Sequence, residues 1–295
     1  MNCIWLNYGK VCDKLIFYSP LRYPGGKGKI VPYFKSIIKK NSLLGSVYVE
    51  PYAGGASVGL SLLQEEYVSR IVINDIDRSI FAFWHSVLNN TNDLCELIRK
   101  TKVNVKTWRE QIKTQETKED SDLLDLGFST FFLNRTNRSG ILSAGVIGGL
   151  RQKGKWKINA RYNKNDLIDR IRAISLYNNR IDLHNYDAVK LLRCINFKFP
   201  QNTLVYLDPP YYCKGKELYL NYYSKEDHED ISKQIKDLKR YWILTYDNVE
   251  PIQQLYKDYR QNIYDLRYSA SISKVGQELM IFSNNLKISS HLLLN

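Results

Sequence analysis

The sequence has little of what metal or disulfide chemistry requires. Its 295 residues include five cysteines, Cys3, Cys12, Cys95, Cys194 and Cys213, an odd number with no C-x-x-C pair. That spacing argues against a disulfide framework and against a zinc site, and it fits a reducing cytoplasm. The four histidines are scattered, so no metal cluster is legible. No apolar run is long enough to span a bilayer, and the first residues are interrupted by Lys10, Asp13 and Lys14, unlike a signal peptide. There is no internal repeat. The glycine spacing G-x-G-x-x-G is missing, which disfavours nicotinamide and flavin dinucleotides. Acidic residues are also short, 30 against 43 Lys and Arg, for a net charge of +13. The excess is spread along the chain rather than held in a tail, so a polyanionic partner is expected. The 22 tyrosines add ring faces that suit bases, although many must be ordinary strand or core residues.

What is present is an α/β pattern, broken once. A helix is predicted through Ile30–Ile38, a buried strand over Ser46–Glu50, a helix from Ser57 to Glu66, a strand Arg70–Asn74 and a helix Ile80–Leu88. Residues 92–178 read as helical and polar around a glycine-rich basic loop, Arg138–Lys157, and are taken as a separate, inserted lobe. Strands and helices then alternate again: Arg180–His184, Ala188–Cys194, Thr203–Leu207, Lys225–Lys239, Trp242–Tyr246 and Pro251–Asp258. A final antiparallel pair, near Asn262–Tyr268 and Glu278–Ser283, closes the sheet. The expected architecture is a Rossmann-like α/β sheet with helices on both faces, formed by residues 1–91 and 179–295, with 92–178 inserted.

Four segments carry the chemistry. Buried strand Thr203–Leu207 ends in Asp208-Pro209-Pro210-Tyr211. At the carboxyl end of such a strand Asp208 and the Pro209 carbonyl can accept hydrogen bonds from an exocyclic amine. The two prolines stiffen the turn, and Tyr211 can stack on a base. The loop Glu50-Pro51-Tyr52-Ala53-Gly54-Gly55-Ala56 lets a ligand approach the backbone closely. Asp75, after the second strand, stands where a ribose diol lies in a nucleoside-binding fold; the alternative is a helix cap, which Asp77 or Ser79 could also supply. Tyr23-Pro24-Gly25-Gly26-Lys27 can bracket an adenosyl or carboxylate group.

Taken in order, these segments resemble the Dam-like (D12 class) DNA adenine-N6 methyltransferase family over most of the chain, from about Leu21 to Asn284. Two departures are Ala56, where the family has glycine, and Tyr23, where it often has Trp. The resemblance implies S-adenosyl-L-methionine as cofactor, held by Tyr23, Lys27, Glu50, Tyr52, Gly54, Asp75, Asp187 and Asp208. Asp187 would meet the adenine amine of the cofactor, or else simply cap a helix. The implied substrate is an adenine flipped out of double-stranded DNA. Asn134, Arg135, Asn137 and Arg138 resemble the family segment that faces DNA, and Lys153, Lys155, Lys157 and Arg161 are expected at phosphates. A cognate restriction or defence system, and a monomer or weak dimer, complete the expectation. The rivals are an RNA adenine methylase and an inactive DNA-binding relative; Asp rather than Asn or Ser before the prolines disfavours cytosine-N4 and glutamine methylation.

Overall fold

The computed structural model describes residues 18–22, 27–213, 223–268 and 274–288. A seven-stranded sheet runs in the order β3-β2-β1-β4-β5-β7-β6. Its strands are β1 (Ser46–Glu50), β2 (Val68–Asn74), β3 (Ile181–His184), β4 (Leu204–Leu207), β5 (Tyr241–Asp247), β6 (Arg260–Tyr268) and β7 (Lys274–Phe282). The first five are mutually parallel, and β7 lies antiparallel between β5 and β6.

The inner strands β1, β4 and β5 and the second half of β2 are nearly continuous apolar runs because helices bury both of their faces. Side chains alternate between two cores, as the period of a strand requires. Tyr48, Ile71, Ile73, Leu204, Tyr206 and Ile243 face one; Val49, Val72, Val205, Leu207, Trp242 and Leu244 face the other. The first face is covered by α1 (Val31–Lys40), α2 (Ser57–Gln64) and α3 (Arg78–Asn89), the second by α8 (Ala188–Lys198), α9 (Lys225–Lys236) and α10 (Glu250–Leu255). Helix starts follow the short polar residues in the sequence: Asp77, Asp187 and Ser224 each accept a backbone N–H of the first turn of α3, α8 and α9.

Between α3 and β3 run α4 (Thr91–Lys100), α5 (Val105–Glu116), α6 (Leu123–Thr136) and α7 (Lys164–Ser175). This insertion does not build a core of its own. Leu94, Phe128, Phe131 and Ile171 share one apolar cluster with the sheet and with α1–α3. Gly127 lets α6 lie directly against α3, where a β-carbon would stand 2.4 Å from Ser86 Oγ. The lobe expected to be separate is therefore an extra helical layer fused to the first face of the sheet.

After β3 the chain returns to the middle of the sheet as β4, so its direction of growth reverses between β1 and β4. A crevice opens at the carboxyl ends of the strands at such a reversal. The ends of β1, β2 and β4, with Glu50, Asp75 and Asp208, converge there.

Candidate active site

The loops at this edge are fixed by one residue that no local sequence pattern singles out. Asn74, fully buried at the end of β2, donates to the carbonyls of Pro51 (2.9 Å) and Tyr186 (3.0 Å) and accepts from Tyr186 N–H (2.8 Å). It thus ties together the loops after β1, β2 and β3. Trp84 of α3 holds the Gly54 carbonyl through its indole N–H at 2.9 Å. Gly54 (φ 44°) and Ala56 (φ 46°) both take left-handed backbone conformations. That explains why a glycine suits position 56 and marks Ala56 as mildly strained.

Asp75 is not the cap of α3. Asp77 fills that role, accepting from Ser79 N–H at 2.9 Å. Asp75 instead accepts from Gly54 N–H (2.9 Å) and Asp77 N–H (3.0 Å), one on each oxygen. Burial, followed by the neighbouring Asp77 charge, pushes its carboxyl up to about 7. Asp187 does cap α8, through Val189 N–H at 2.8 Å, and lies exposed at the same edge.

Glu50 is a structural lock. It is buried, and its Oε1 accepts from Tyr48 Oη (2.9 Å) and from Gly59 N–H in α2 (3.0 Å). Desolvation pushes its carboxyl up to about 8. The Tyr52 hydroxyl bonds to that of Tyr223 at 2.8 Å. Tyr23 lies outside the described residues.

At the end of β4, Asp208 is about a quarter exposed (26%), and its polar contacts among the described residues all fall on one oxygen. Oδ1 accepts from Thr245 Oγ1 of β5 at 2.7 Å and pairs with Lys27 Nζ at 3.2 Å. Lys27 is buried and also reaches Glu278 of β7 at 2.8 Å. Glu278 in turn accepts from the hydroxyls of Tyr211 and of Tyr264 in β6. Burial raises the Asp208 carboxyl while Lys27 holds it down. The expectation of an open Tyr211 stacking face needs correction: the ring is only 4% exposed, and its hydroxyl is anchored. Thr245 and Glu278 escape sequence reasoning because no local motif sets either apart from the other residues of its strand.

The inserted layer meets this edge through Arg22. Asn134 of α6 accepts from Arg22 N–H (2.7 Å) and donates to the carbonyls of Arg22 (2.7 Å) and Gly140 (2.9 Å). Asn137 accepts from the Trp108 indole N–H at 2.6 Å and donates to the Ile141 and Leu142 carbonyls. Both amides are buried and committed, so the expectation that they read bases is corrected: they shape the loop that follows α6. Arg135 donates to the Arg161 carbonyl at 2.8 Å; burial, then the nearby Arg22 and Arg170, lower its pKa to about 10. Arg22 Nη1 is buried without a hydrogen-bond partner among the described residues. Arg138, Lys153, Lys155, Lys157 and Arg161 are exposed. Among them stands Trp156, 62% exposed, with Lys155 Nζ 5.9 Å and the Arg161 guanidinium 6.0 Å from its ring centre.

Comparison with known proteins adds the family. The model of the D12 class N6 adenine-specific DNA methyltransferases matches residues 23–272. Type II methyltransferase M.CviBI of Paramecium bursaria Chlorella virus NC1A is 21% identical over 266 residues, which cover 88% of this chain and 95% of that protein. Type II methyltransferase M.MjaIII of Methanocaldococcus jannaschii is 26% identical over 228 residues, covering 71% and 74%. Modification methylase StsI of Streptococcus sanguinis is 23% identical over 206 residues, covering 65% of this chain and 28% of that protein.

Proposed function

Because the chain belongs to the D12 class of N6 adenine-specific DNA methyltransferases, and so moves a methyl group from S-adenosylmethionine to adenine N6 in DNA, we propose the following roles for its residues. The observation that carries them is the division of labour within Asp208. Thr245 and Lys27 occupy Oδ1, and among the described residues no donor occupies Oδ2, which can accept from an incoming one. An exocyclic amine is such a donor, and the Pro209 carbonyl supplies the second acceptor. Together they orient the nitrogen lone pair and offset the positive charge that develops on it.

The donor set fits the cofactor. Asp75 offers acceptors to a ribose diol, and the turn at Gly54 lets that ligand lie against the backbone. Asp187 keeps an exposed carboxylate beside the same edge. Glu50 ties the end of β1 to α2 through Gly59, on either side of the turn, and Tyr52 lies within it. When bound, the cofactor supplies an electrophilic sulfonium methyl. Lys27 acts from within, on Asp208.

DNA lies along the inserted layer, residues 92–178. Arg22, Arg135, Arg138 and Arg161, with Lys153, Lys155 and Lys157, form its phosphate-facing set, and the exposed Trp156 adds a ring for base stacking. The names of the relatives support a place on the modification side of a restriction system. The described cysteines Cys95, Cys194 and Cys213 are free, which suits the cytoplasm. No described helix is long and apolar enough to cross a membrane.

Asp208→Ala is expected to bind DNA with little change and to lose methyl transfer by at least about a hundredfold. Single-turnover transfer of labelled methyl, beside a DNA-binding titration, checks this, and near-normal transfer would remove Asp208 from the site.

A further inference from the structure

Glu278 is fully buried, bears a charge, and is given no task by the roles above. It lies on β7, opposite Tyr264 of β6 in the strand register and beside β5, which carries Thr245. Among the described residues, three donors converge on its carboxylate: Lys27 Nζ and the hydroxyls of Tyr211 and Tyr264. Burying a carboxylate this completely is costly unless it is paired and hydrogen-bonded. Here it is both.

The distances show which acid holds the cation. Lys27 Nζ is 2.8 Å from Glu278 and 3.2 Å from Asp208. Glu278 is also the drier of the two, with its side chain at 0% exposure against 26%, so the shorter pair is the less screened one. Among the described residues the cluster holds one cation, Lys27, and two carboxylates, Asp208 and Glu278. On that set two charges cancel and one negative charge remains, on the acid facing the crevice.

We propose that Glu278 is a positioning residue for methyl transfer: by taking up the Lys27 charge, it leaves Asp208 an uncompensated anion facing the amine and the sulfonium. Resting on the role given to Asp208 above, this adds a second carboxylate that touches neither reactant. Without it, Lys27 would neutralise Asp208 alone. The acceptor would weaken, and the crevice would lose its net charge. That charge also distinguishes the cationic cofactor from its neutral thioether product, S-adenosylhomocysteine, because only the former carries a charge to attract.

The same arrangement sets the pH response of Asp208. The groups facing it are Lys27, Glu278, Tyr206 of β4, Tyr48 and Glu50 of β1, Tyr246 of β5 and Tyr264 of β6. Lys27 lowers the Asp208 pKa, and Glu278 raises it. Neutralising each in turn must therefore move the acid limb of the transfer reaction in opposite directions.

The test uses the full chain and three variants, Glu278→Gln, Lys27→Gln and the uncharged control Tyr264→Phe. Calorimetry measures affinity for S-adenosylmethionine and for S-adenosylhomocysteine, and single-turnover transfer is followed against pH. Glu278→Gln should lower the preference for the cation over the thioether at least fivefold. It should cut kcat at least tenfold with little change in KM for DNA, and move the acid limb to lower pH. Lys27→Gln should move that limb to higher pH, so the charge logic is readable even if one variant does not fold. Tyr264→Phe, which takes one neutral donor from Glu278 and no charge from the cluster, should move the ligand preference and the limb far less than Glu278→Gln does. The proposal is overturned if, in the charge variants that fold, the ligand preference and the limb match the wild type, or if Tyr264→Phe shifts them equally. Asp208→Ala separates the two levels: an inactive Asp208→Ala beside an unaffected Glu278→Gln refutes Glu278 alone, whereas an active Asp208→Ala refutes the site itself.

Discussion

Asp75 links protonation to cofactor binding through one side chain. Burial and the Asp77 charge push its carboxyl up to about 7. Above that pH it is a carboxylate able to accept both hydroxyls of a ribose; below it, one oxygen carries a proton and an acceptor is lost. Because the charged form is the binding form, affinity for S-adenosylmethionine should climb as pH rises from about 6 to about 8. Asp75→Asn should flatten that climb and weaken binding on the order of tenfold or more, the value of one hydrogen bond to a charged group. Titration calorimetry across the range decides it, and a wild-type affinity independent of pH would take the ribose away from Asp75. At this scale the sequence is informative where a residue type is rare in its setting. Asp208 stands out because an acid followed by two prolines and an aromatic seldom ends an apolar strand. Glu278 does not, because its meaning comes from Lys27, which lies 251 positions away in the chain.

The contact between α3 and α6 sets the position of the recognition layer. In the sequence, Gly127 looks like a flaw in a helix, where alanine would be better by about 1 kcal/mol. In the fold it is required: an added β-carbon would stand 2.4 Å from Ser86 Oγ and 2.5 Å from the Ala82 carbonyl. Since a backbone oxygen cannot swing aside, α6 would have to lift away. Gly127→Ala is therefore expected to destabilise the protein by about 1–3 kcal/mol, and to weaken DNA binding as Asn134 loses its grip on Arg22. Urea unfolding midpoints report the first effect, and a variant more stable than wild type would show that the two helices do not meet closely. The helices and strands themselves are legible from apolar spacing and short polar caps. The fusion of the inserted layer with the main core is not, because a buried helical face reads the same whichever surface covers it.

Across the whole molecule, the excess of positive charge becomes a DNA-binding property only through its placement. Lys153, Lys155, Lys157 and Arg161 are exposed on one connected stretch of the inserted layer, around Trp156. Changing all four to glutamine should reduce the slope of log affinity against log salt by about 0.9 for each phosphate that is no longer neutralised. Methyl transfer at saturating DNA should stay near the wild-type rate, because none of the four touches Asp208. DNA titrations between about 50 and 200 mM salt supply the slope; a slope equal to that of the wild type would move the DNA path off this surface.

By itself, the order of residues determined the α/β alternation, the acidic turn after β4 and the polyanionic partner, because each depends on local periodicity, rare local motifs or total charge. Tertiary structure alone decided which polar groups are free to act. It withdrew Asn134, Asn137 and the Tyr211 hydroxyl into internal hydrogen bonds, exposed Trp156, and set Glu278 against Lys27. Hydrogen-bond donors and acceptors are satisfied by whatever neighbours the fold brings within about 3 Å, and that company is fixed by strand order and helix packing rather than by position along the chain.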